Sequence, residues 1–423
     1  MQMTNRLRMW IRKPIFWILL GALVLRLAVA FYLGNTVSGL SGAYDEISYS
    51  LLGQRFADGY GLTFPKDWYP WIKAGEPQSY YSATMSLFLG VIYMTFGYYP
   101  LVARLVMALL STLVVYMTYR LTRKIMNERV ALIAALIAAG YAYLVFYGVT
   151  LVTETPFILA LLIAFFFAYD VVESPTKWKW VAMGAALSVA VLLRMAVVFF
   201  LPFLFGWIML RQPKKRVYVL IPISLIILSV LPFTIHNYNL WGQFLLLESQ
   251  FGHVFWNGNH PGQKGSFSSY NVFPIPEDVL ATRNDAEITN RLLRLGVQNV
   301  LDDPRHFFVL TLSRLQEFFK FWPTSDSTTL ANLLRVVSFG IMWPFAVAGL
   351  WLQRKSLSLF FPLILFMIIH TGIYSISWTM IRYRIPLDAV LIPFAAYAIH
   401  SILSRWEWFR NRMPFLFNHA YTG

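Results

Sequence analysis

The feature that most constrains this chain is a series of apolar runs closed at each end by charge or by turn-forming residues. A helix needs ~20 predominantly apolar residues to cross a bilayer's hydrocarbon core, and about ten stretches meet or approach that length. They are roughly Pro14–Gly34, Pro100–Leu121, Val130–Thr150, Thr153–Val172, Trp178–Arg194, Ala196–Leu210, Val217–Ile235, Thr329–Leu352, Leu357–Ser377 and Ile385–Leu403. Composition agrees, with 58% hydrophobic and 13% charged residues, against roughly 25% charged in soluble domains. Too few polar side chains remain to cover a water-facing surface. Disorder, collagen and coiled coil are excluded on the same grounds. The expected fold is an all-α polytopic membrane protein in one domain over residues 1–423. Arg6, Arg8, Arg12 and Lys13 precede the first run as in a signal peptide. That run is long enough to span and shows no clear cleavage pattern, so it reads as an uncleaved first span.

Charge sets the expected sidedness. With the N-terminus in the cytoplasm, the short inner connections are Arg120–Arg129, Glu173–Lys179, Arg211–Arg216 and Gln353–Ser356, followed by a C-terminal tail with Arg405, Arg410 and Arg412. Each carries Lys or Arg, as the positive-inside rule requires. The net charge of +15 is therefore read as loop anchoring and anionic-lipid contact, with no nucleic-acid partner. The scheme requires that Tyr80–Gly97 not cross; it reads as a juxtamembrane helix. Two long outer segments follow, Asn35–Tyr99 and His236–Thr328. The second is expected to contain a Gly/Asn/Pro-rich loop from Gly252 to Gly265. An amphipathic helix over Asp285–Leu301 comes next, with Ile288, Leu292 and Leu295 on its apolar face. A further helix, Arg305–Trp322, is capped by Asp303-Pro304. No fixed-period repeat and no soluble domain after the last span are expected.

Nearly all acidic residues then fall outside, beside aromatics, which suits a polyhydroxylated or cationic substrate. The sharpest local feature is Ala43-Tyr44-Asp45-Glu46, opening a short helix. A carboxylate there can act as general base towards a hydroxyl, although acids at a helix start also satisfy its dipole. Neighbouring helical residues diverge by ~100°, so the two acids cannot serve one atom equally. Glu154 stands at an outer edge between two spans, where it either functions or is simply solvated. Arg104 and Arg194 lie near outer span ends, and Arg382 and Arg384 bracket Tyr383 before the last span. Each can bind phosphate through charge-assisted hydrogen bonds or snorkel to headgroups. Arg26, inside the first span, requires a structural partner or a polar cavity. Tyr80, Tyr81, Asn237, Asn259 and His260 suit contacts to sugar or acceptor, and the Asn-Gly and His-Pro pairs among them equally suit turns. His236, His253, His260 and His306 lack metal-ligand spacing, so no metal site and no cofactor are assigned, with a divalent ion left open. Cysteine is absent, which excludes disulfides and thiolate chemistry. Walker, dinucleotide and nucleotide-sugar motifs are also absent.

Taken in order, these segments resemble the GT-C integral-membrane glycosyltransferases, nearest to the protein O-mannosyltransferase and aminoarabinose-transferase group. Asp45-Glu46, the Pro77–Gly97 stretch with Arg104, and Glu154 followed by Pro156 carry the resemblance. So do His236-Asn237-Tyr238, Gly258-Asn259-His260-Pro261, Pro304–Trp322 and Arg382-Tyr383-Arg384-Ile385-Pro386. The sequence departs from the group at Glu76-Pro77-Gln78-Ser79-Tyr80-Tyr81, where a basic residue is usual. The oligosaccharyltransferase Trp-Trp-Asp motif is missing.

The resemblance implies a polyprenyl-phosphate-linked sugar as donor, an extracytoplasmic site, and a lipid, glycan or protein acceptor. It assigns Asp45 as base, Glu46 and Glu154 as orienting acids, and Arg104, Arg194, Arg382 and Arg384 as phosphate ligands. Two other classes stay open: a secondary transporter or lipid flippase, and a polysaccharide polymerase or ligase using a lipid-pyrophosphate glycan. Long outer segments and the lack of repeated halves favour the transferase over the transporter.

Overall fold

The computed structural model describes residues 13–39, 44–264, 272–325 and 327–405. Arg6, Arg8, Arg12, Ala43, Gly265, Arg410 and Arg412 lie outside the described residues. The described elements are helical apart from two isolated β-bridges, Thr63 with Pro77 and Trp68 with Ile72. Helix α1 (Pro14–Leu33) is followed by α2 (Asp45–Ala57) and α3 (Ala83–Phe96), which pack on each other. Then come α4 (Pro100–Ile125), α5 (Glu128–Gly140), the short α6 (Ala142–Phe146), α7 (Glu154–Glu173) and α8 (Lys177–Leu193). A 3-10 segment, Met195–Phe200, leads into α9 (Leu201–Arg211), and α10 (Leu220–Trp241) closes this half. Three longer helices follow, α11 (Gln250–Gly258), α12 (Asp285–Asp302) and α13 (Pro304–Phe318), with a single helical turn at Glu277–Leu280 before α12. The last three helices are α14 (Thr329–Leu352), α15 (Leu357–Ile376) and α16 (Ile385–Leu403).

Seven of these helical stretches are long and apolar enough to cross a membrane, namely those built on α1, α4, α7, α10, α14, α15 and α16. The other three expected spans are shorter. Val130–Thr150 is split into α5 and α6 at Tyr141, whose backbone is extended. Lys177–Leu193 and Met195–Arg211 are helical segments of 17 residues each, ~26 Å at 1.5 Å per residue. The spans are not equally sheltered. In α16, 72% of the apolar window is buried, against 17% in α10. Helices α7 and α16 form the centre, and α1 and α10 present their apolar side chains outward.

Local chemistry explains the boundaries. Asn127 caps α5 by accepting from the Arg129 and Val130 amides, each at 3.0 Å. Asp303 accepts from the His306 amide at 2.8 Å with Pro304 at the first helical position, as the sequence predicts for α13. The end of α10 lies beyond His236, at Gly242, whose φ of 64° is left-handed and costs glycine little. Arg26 is fully buried and donates to Ser111 Oγ at 2.6 Å and to the carbonyls of Ala22, Ala138 and Ala139.

Two expectations for the extramembrane part need correction. The stretch expected as a loop from Gly252 begins inside α11, because its glycines serve packing rather than turning. A Cβ on Gly252 would stand 2.0 Å from the Thr289 carbonyl oxygen, and one on Gly258 would stand 2.0 Å from that of Ser377. On α12, Ile288 and Leu292 are buried as expected, but Leu295 is 37% exposed. Gly296 takes the inward position instead, against Trp256.

The contact between α14 and α16 is closest at Gly349, where a Cβ would lie 1.9 Å from the Phe394 carbonyl oxygen. That backbone cannot yield without separating two spans. Gly349→Ala is expected to destabilise the protein by about 1–3 kcal/mol, the usual cost of overpacking. Gly206→Ala, where nothing lies within 4 Å, should cost nothing. Thermal unfolding of both variants in detergent tests this, and equal midpoints would sink it.

Candidate functional site

The two acids that open α2 point in different directions, as their spacing requires. Glu46 turns inward. Its Oε1 accepts from the Arg104 guanidinium at 2.7 Å and from the Leu151 amide at 3.0 Å. Arg104 also donates to the carbonyls of Gly34, Thr36 and Val149. Both side chains are within 3% of full burial. This pair bolts together the end of α1, the start of α2, the start of α4 and the connection into α7.

Asp45 turns the other way and pairs with Arg382. Arg382 Nη1 lies 3.6 Å from Glu154 Oε1, and the same oxygen lies 2.7 Å from Arg194 Nη2. Four charges of alternating sign thus run Asp45, Arg382, Glu154, Arg194. They come from the start of α2, the 3-10 turn Ile381–Arg384 ahead of α16, the start of α7 and the end of α8. Asp45 is the most accessible member, its side chain 18% exposed against 4% for Arg382 and 1% for Glu154. Arg194 is further held by Tyr374 Oη at 3.1 Å, and the Tyr383 ring lies 5.4 Å from its guanidinium. The set is formally neutral, so an incoming anion competes with two carboxylates for two guanidiniums. A phosphate can compete, because its oxygens match the planar fork of arginine.

The other sequence-predicted residues lie elsewhere. Arg384 diverges from Arg382 because the intervening backbone is a 3-10 turn. It is fully buried, paired with Asp388 at 3.1 Å, and donates to the carbonyls of Phe318 and Lys320. Arg104 belongs to the Glu46 bolt. Tyr80 and Tyr81 are buried. Tyr80 Oη bonds His253 Nδ1 at 2.9 Å, and Tyr81 Oη donates to the Tyr69 carbonyl at 3.1 Å. Asn259 is buried and donates to the Phe255 and Ile376 carbonyls. His260 stacks on Phe273 at 3.6 Å. Asn237 accepts from Ser79 Oγ at 2.9 Å and donates to the carbonyls of Leu245 and Leu247. Among the described residues no group of three or more His, Asp or Glu is placed to hold a metal ion.

That last contact leads to a carboxylate the sequence did not reveal. Asn237 fixes the strand of chain on either side of Leu246, and the Ser249 amide donates to the Ser79 carbonyl at 2.8 Å. Glu248 is thereby set against Ser82, with Arg194 and Asp45 as charged neighbours. Burial pushes its carboxyl up to about 7, offset in part by the hydrogen bond from Ser82 and by Arg194, and reinforced by Asp45. Burial also pushes the neighbouring Tyr49 hydroxyl up, with Asp45 and Glu248 adding to the effect. In sequence Glu248 follows Leu245, Leu246 and Leu247, and a lone acid after an apolar triplet carries no recognisable spacing.

Comparison with known proteins bears on the fold that carries these residues. Residues 83–236 match the model of the dolichyl-phosphate-mannose-protein mannosyltransferase family. The fold is similar to that of the Archaeoglobus fulgidus oligosaccharyltransferase AglB in complex with an inhibitory peptide and a dolichol-phosphate. That match has 15% identity and a TM-score of 0.57, covering 95% of this chain and 52% of AglB. The apo form of that enzyme gives 14% identity and a TM-score of 0.58, covering 96% of this chain and 53% of the other. ArnT from Cupriavidus metallidurans bound to undecaprenyl phosphate gives 15% identity and a TM-score of 0.55, covering 95% and 63%. The chain thus spans about half the length of the archaeal enzyme. No curated protein matches it. The resemblance to the GT-C enzymes drawn from the sequence is borne out by these comparisons.

Glu248 yields a pH prediction. An acid whose folded value is raised favours the folded state at low pH, and that stability is lost as pH rises from the ordinary 4.5 to about 7. Glu248→Gln mimics the protonated form. Its thermal midpoint should equal that of the wild type near pH 4.5 and exceed it increasingly up to pH 7, with no further change above. A gap independent of pH would show that Glu248 is not buried against the cluster.

Proposed function

We propose that this chain is a membrane glycosyltransferase that moves a sugar from a polyprenyl-phosphate carrier to an acceptor hydroxyl on the extracytoplasmic face. The observation that carries the reading is the alternating series Asp45, Arg382, Glu154, Arg194 at one end of the bundle. It offers two guanidiniums where a lipid headgroup would lie, beside an accessible carboxylate. The shared fold supports the donor class, since the similar structures hold dolichol-phosphate and undecaprenyl phosphate. So does the family matched by residues 83–236.

In this mechanism the donor phosphate draws Arg382 and Arg194 to itself, which releases Asp45 from its ion pair. Asp45 then accepts the proton of the acceptor hydroxyl. The hydroxyl oxygen bonds to the anomeric carbon as the bond from that carbon to the phosphate oxygen breaks. Polyprenyl phosphate leaves with the bonding electrons, its charge held by the guanidiniums in a preorganised clamp. Glu154, which contacts both arginines before the donor arrives, limits how far they turn, and Glu248 is a charged neighbour of Asp45.

Two experiments test this reading. Asp45→Asn should lower transfer from a polyprenyl-phosphate sugar by about 10²–10⁴-fold, the usual contribution of a general base, with a smaller loss of stability than Glu46→Gln because Arg382 keeps Glu154. Glu46→Gln should instead cost about 3–5 kcal/mol of stability by leaving Arg104 buried without its partner. Near-normal turnover in purified Asp45→Asn would remove Asp45 as the base.

The same reading makes α5 with α6, α8, and the Met195–Arg211 segment three further spans, ten in all, with both termini cytoplasmic. A cysteine at Asp278, whose side chain is 79% exposed, should react with an impermeant reagent outside intact cells. One at the exposed Lys214 should react only after permeabilisation. The opposite pattern would invert the topology.

A further inference from the structure

A groove of about 410 Å³ is lined among others by Trp68, Tyr69, Trp71, Lys73, Trp241 and Arg283. Its size falls within the ~300–1,000 Å³ of ligand pockets. The three indoles share one arrangement. Trp68 Nε1 donates to Ser48 Oγ at 2.9 Å, Trp71 Nε1 to Asp285 Oδ1 at 2.6 Å, and Trp241 Nε1 to Ser79 Oγ at 2.9 Å. Every indole N–H is spent on the protein, and the Trp68 ring stacks on Phe64 at 5.1 Å, so what Trp71 and Trp241 offer a ligand is carbon surface. Asp285 is itself fixed by the Ser79 amide at 2.8 Å, which makes this wall rigid.

The rim has a different character. Asp67 and Lys73 form an exposed pair at 2.6 Å, and Glu76 and Arg283 add one charge of each sign. With Asp285 in the wall, the lining holds three acids and two bases, a mixture that favours no anion. They do supply both acceptors and donors for hydroxyl groups. The backbone offers no place for a peptide to pair, because the turn satisfies itself: Trp68 and Ile72 exchange amide-to-carbonyl bonds at 2.8 and 2.9 Å. Arg283 has a φ of 47°, the one positive value at a non-glycine position among the described residues. Strain of this kind collects at ligand sites.

Two hydrogen bonds tie the groove's lining to the segments that carry Asp45 and Glu248. Ser48, which anchors Trp68, lies one turn after Asp45 on α2 and so on the same face. On the other side, Ser249 follows Glu248 and reaches Asp285 at 3.5 Å.

We infer that this groove holds a neutral sugar ring of the acceptor, stacked on Trp71 and Trp241 with its hydroxyls on the charged rim, so that the acceptor is a glycan or glycolipid. The word acceptor rests on the transferase reading; the sugar site does not.

The test is saturation-transfer NMR on the full chain in lipid nanodiscs, with maltose, cellobiose and a mannose disaccharide as probes and a Ser/Thr-rich peptide as competitor. At least one disaccharide should show transfer to its ring C–H protons. Trp71→Ala should weaken that binding by about tenfold, as loss of an aromatic anchor does. Arg283→Gly, which suits the positive φ and leaves the tryptophan wall intact, should weaken it by about threefold, the worth of a net hydrogen bond. Turnover of a polyprenyl-phosphate sugar is measured in parallel. Binding without turnover would sink the transferase reading and leave the sugar site standing. Absence of disaccharide binding, displacement by the peptide, or binding indifferent to both variants overturns the inference, whatever the turnover.

Discussion

The arrangement depends on one buried ion pair, Glu46 with Arg104. Withdrawing two charges from water costs several kcal/mol each, and the cost is recovered as the remaining hydrogen-bonding positions are filled. Here most are: the guanidinium reaches three backbone carbonyls besides the carboxylate, and Glu46 Oε1 also takes the Leu151 amide. The pair therefore tolerates only one placement of α2 relative to α1, α4 and α7. That placement leaves the adjacent Asp45 facing Arg382. The accessible carboxylate is aimed by the buried one.

The same economy of charge governs the centre of the bundle. Arg384 and Asp388 are fully buried on α16 and its leading turn, and Asp388 also accepts from Tyr141 Oη at 2.6 Å. This accounts for the break between α5 and α6: the backbone at Tyr141 is extended, and its hydroxyl goes to a carboxylate that would otherwise lack a second partner.

Much of this was legible in the sequence. Apolar length gave the spans that are continuous helices, and Asp303-Pro304 gave the start of α13, because both signals are local. The ~100° step between neighbouring helical residues announced that Asp45 and Glu46 would part. Which arginine each would meet was not legible, since Arg104 lies 58 positions away from Glu46 and Arg382 lies 337 from Asp45. Tertiary packing also decided the glycines. Gly252 and Gly258 read as turn residues, yet each is required by a backbone that passes within contact distance. Glu248 was invisible because its position is set by Asn237 and Ser79, in two other segments, rather than by any pattern of its own.

The turn Ile381–Arg384 has a consequence for how specificity can change. Through Arg384 and Asp388 it ties Arg382 to the most deeply buried helix of the bundle, so the wall bearing the guanidiniums is fixed by residues whose replacement would disturb the core. The facing wall, Trp68–Ser79 and Gly242–Ser249, is held by bonds between these two segments and to Asn237, Trp241 and Asp285. Substitutions there can remodel one side of the site without touching the other. On the transferase reading proposed above, a chain built this way would keep its donor chemistry through long divergence while its choice of acceptor drifts.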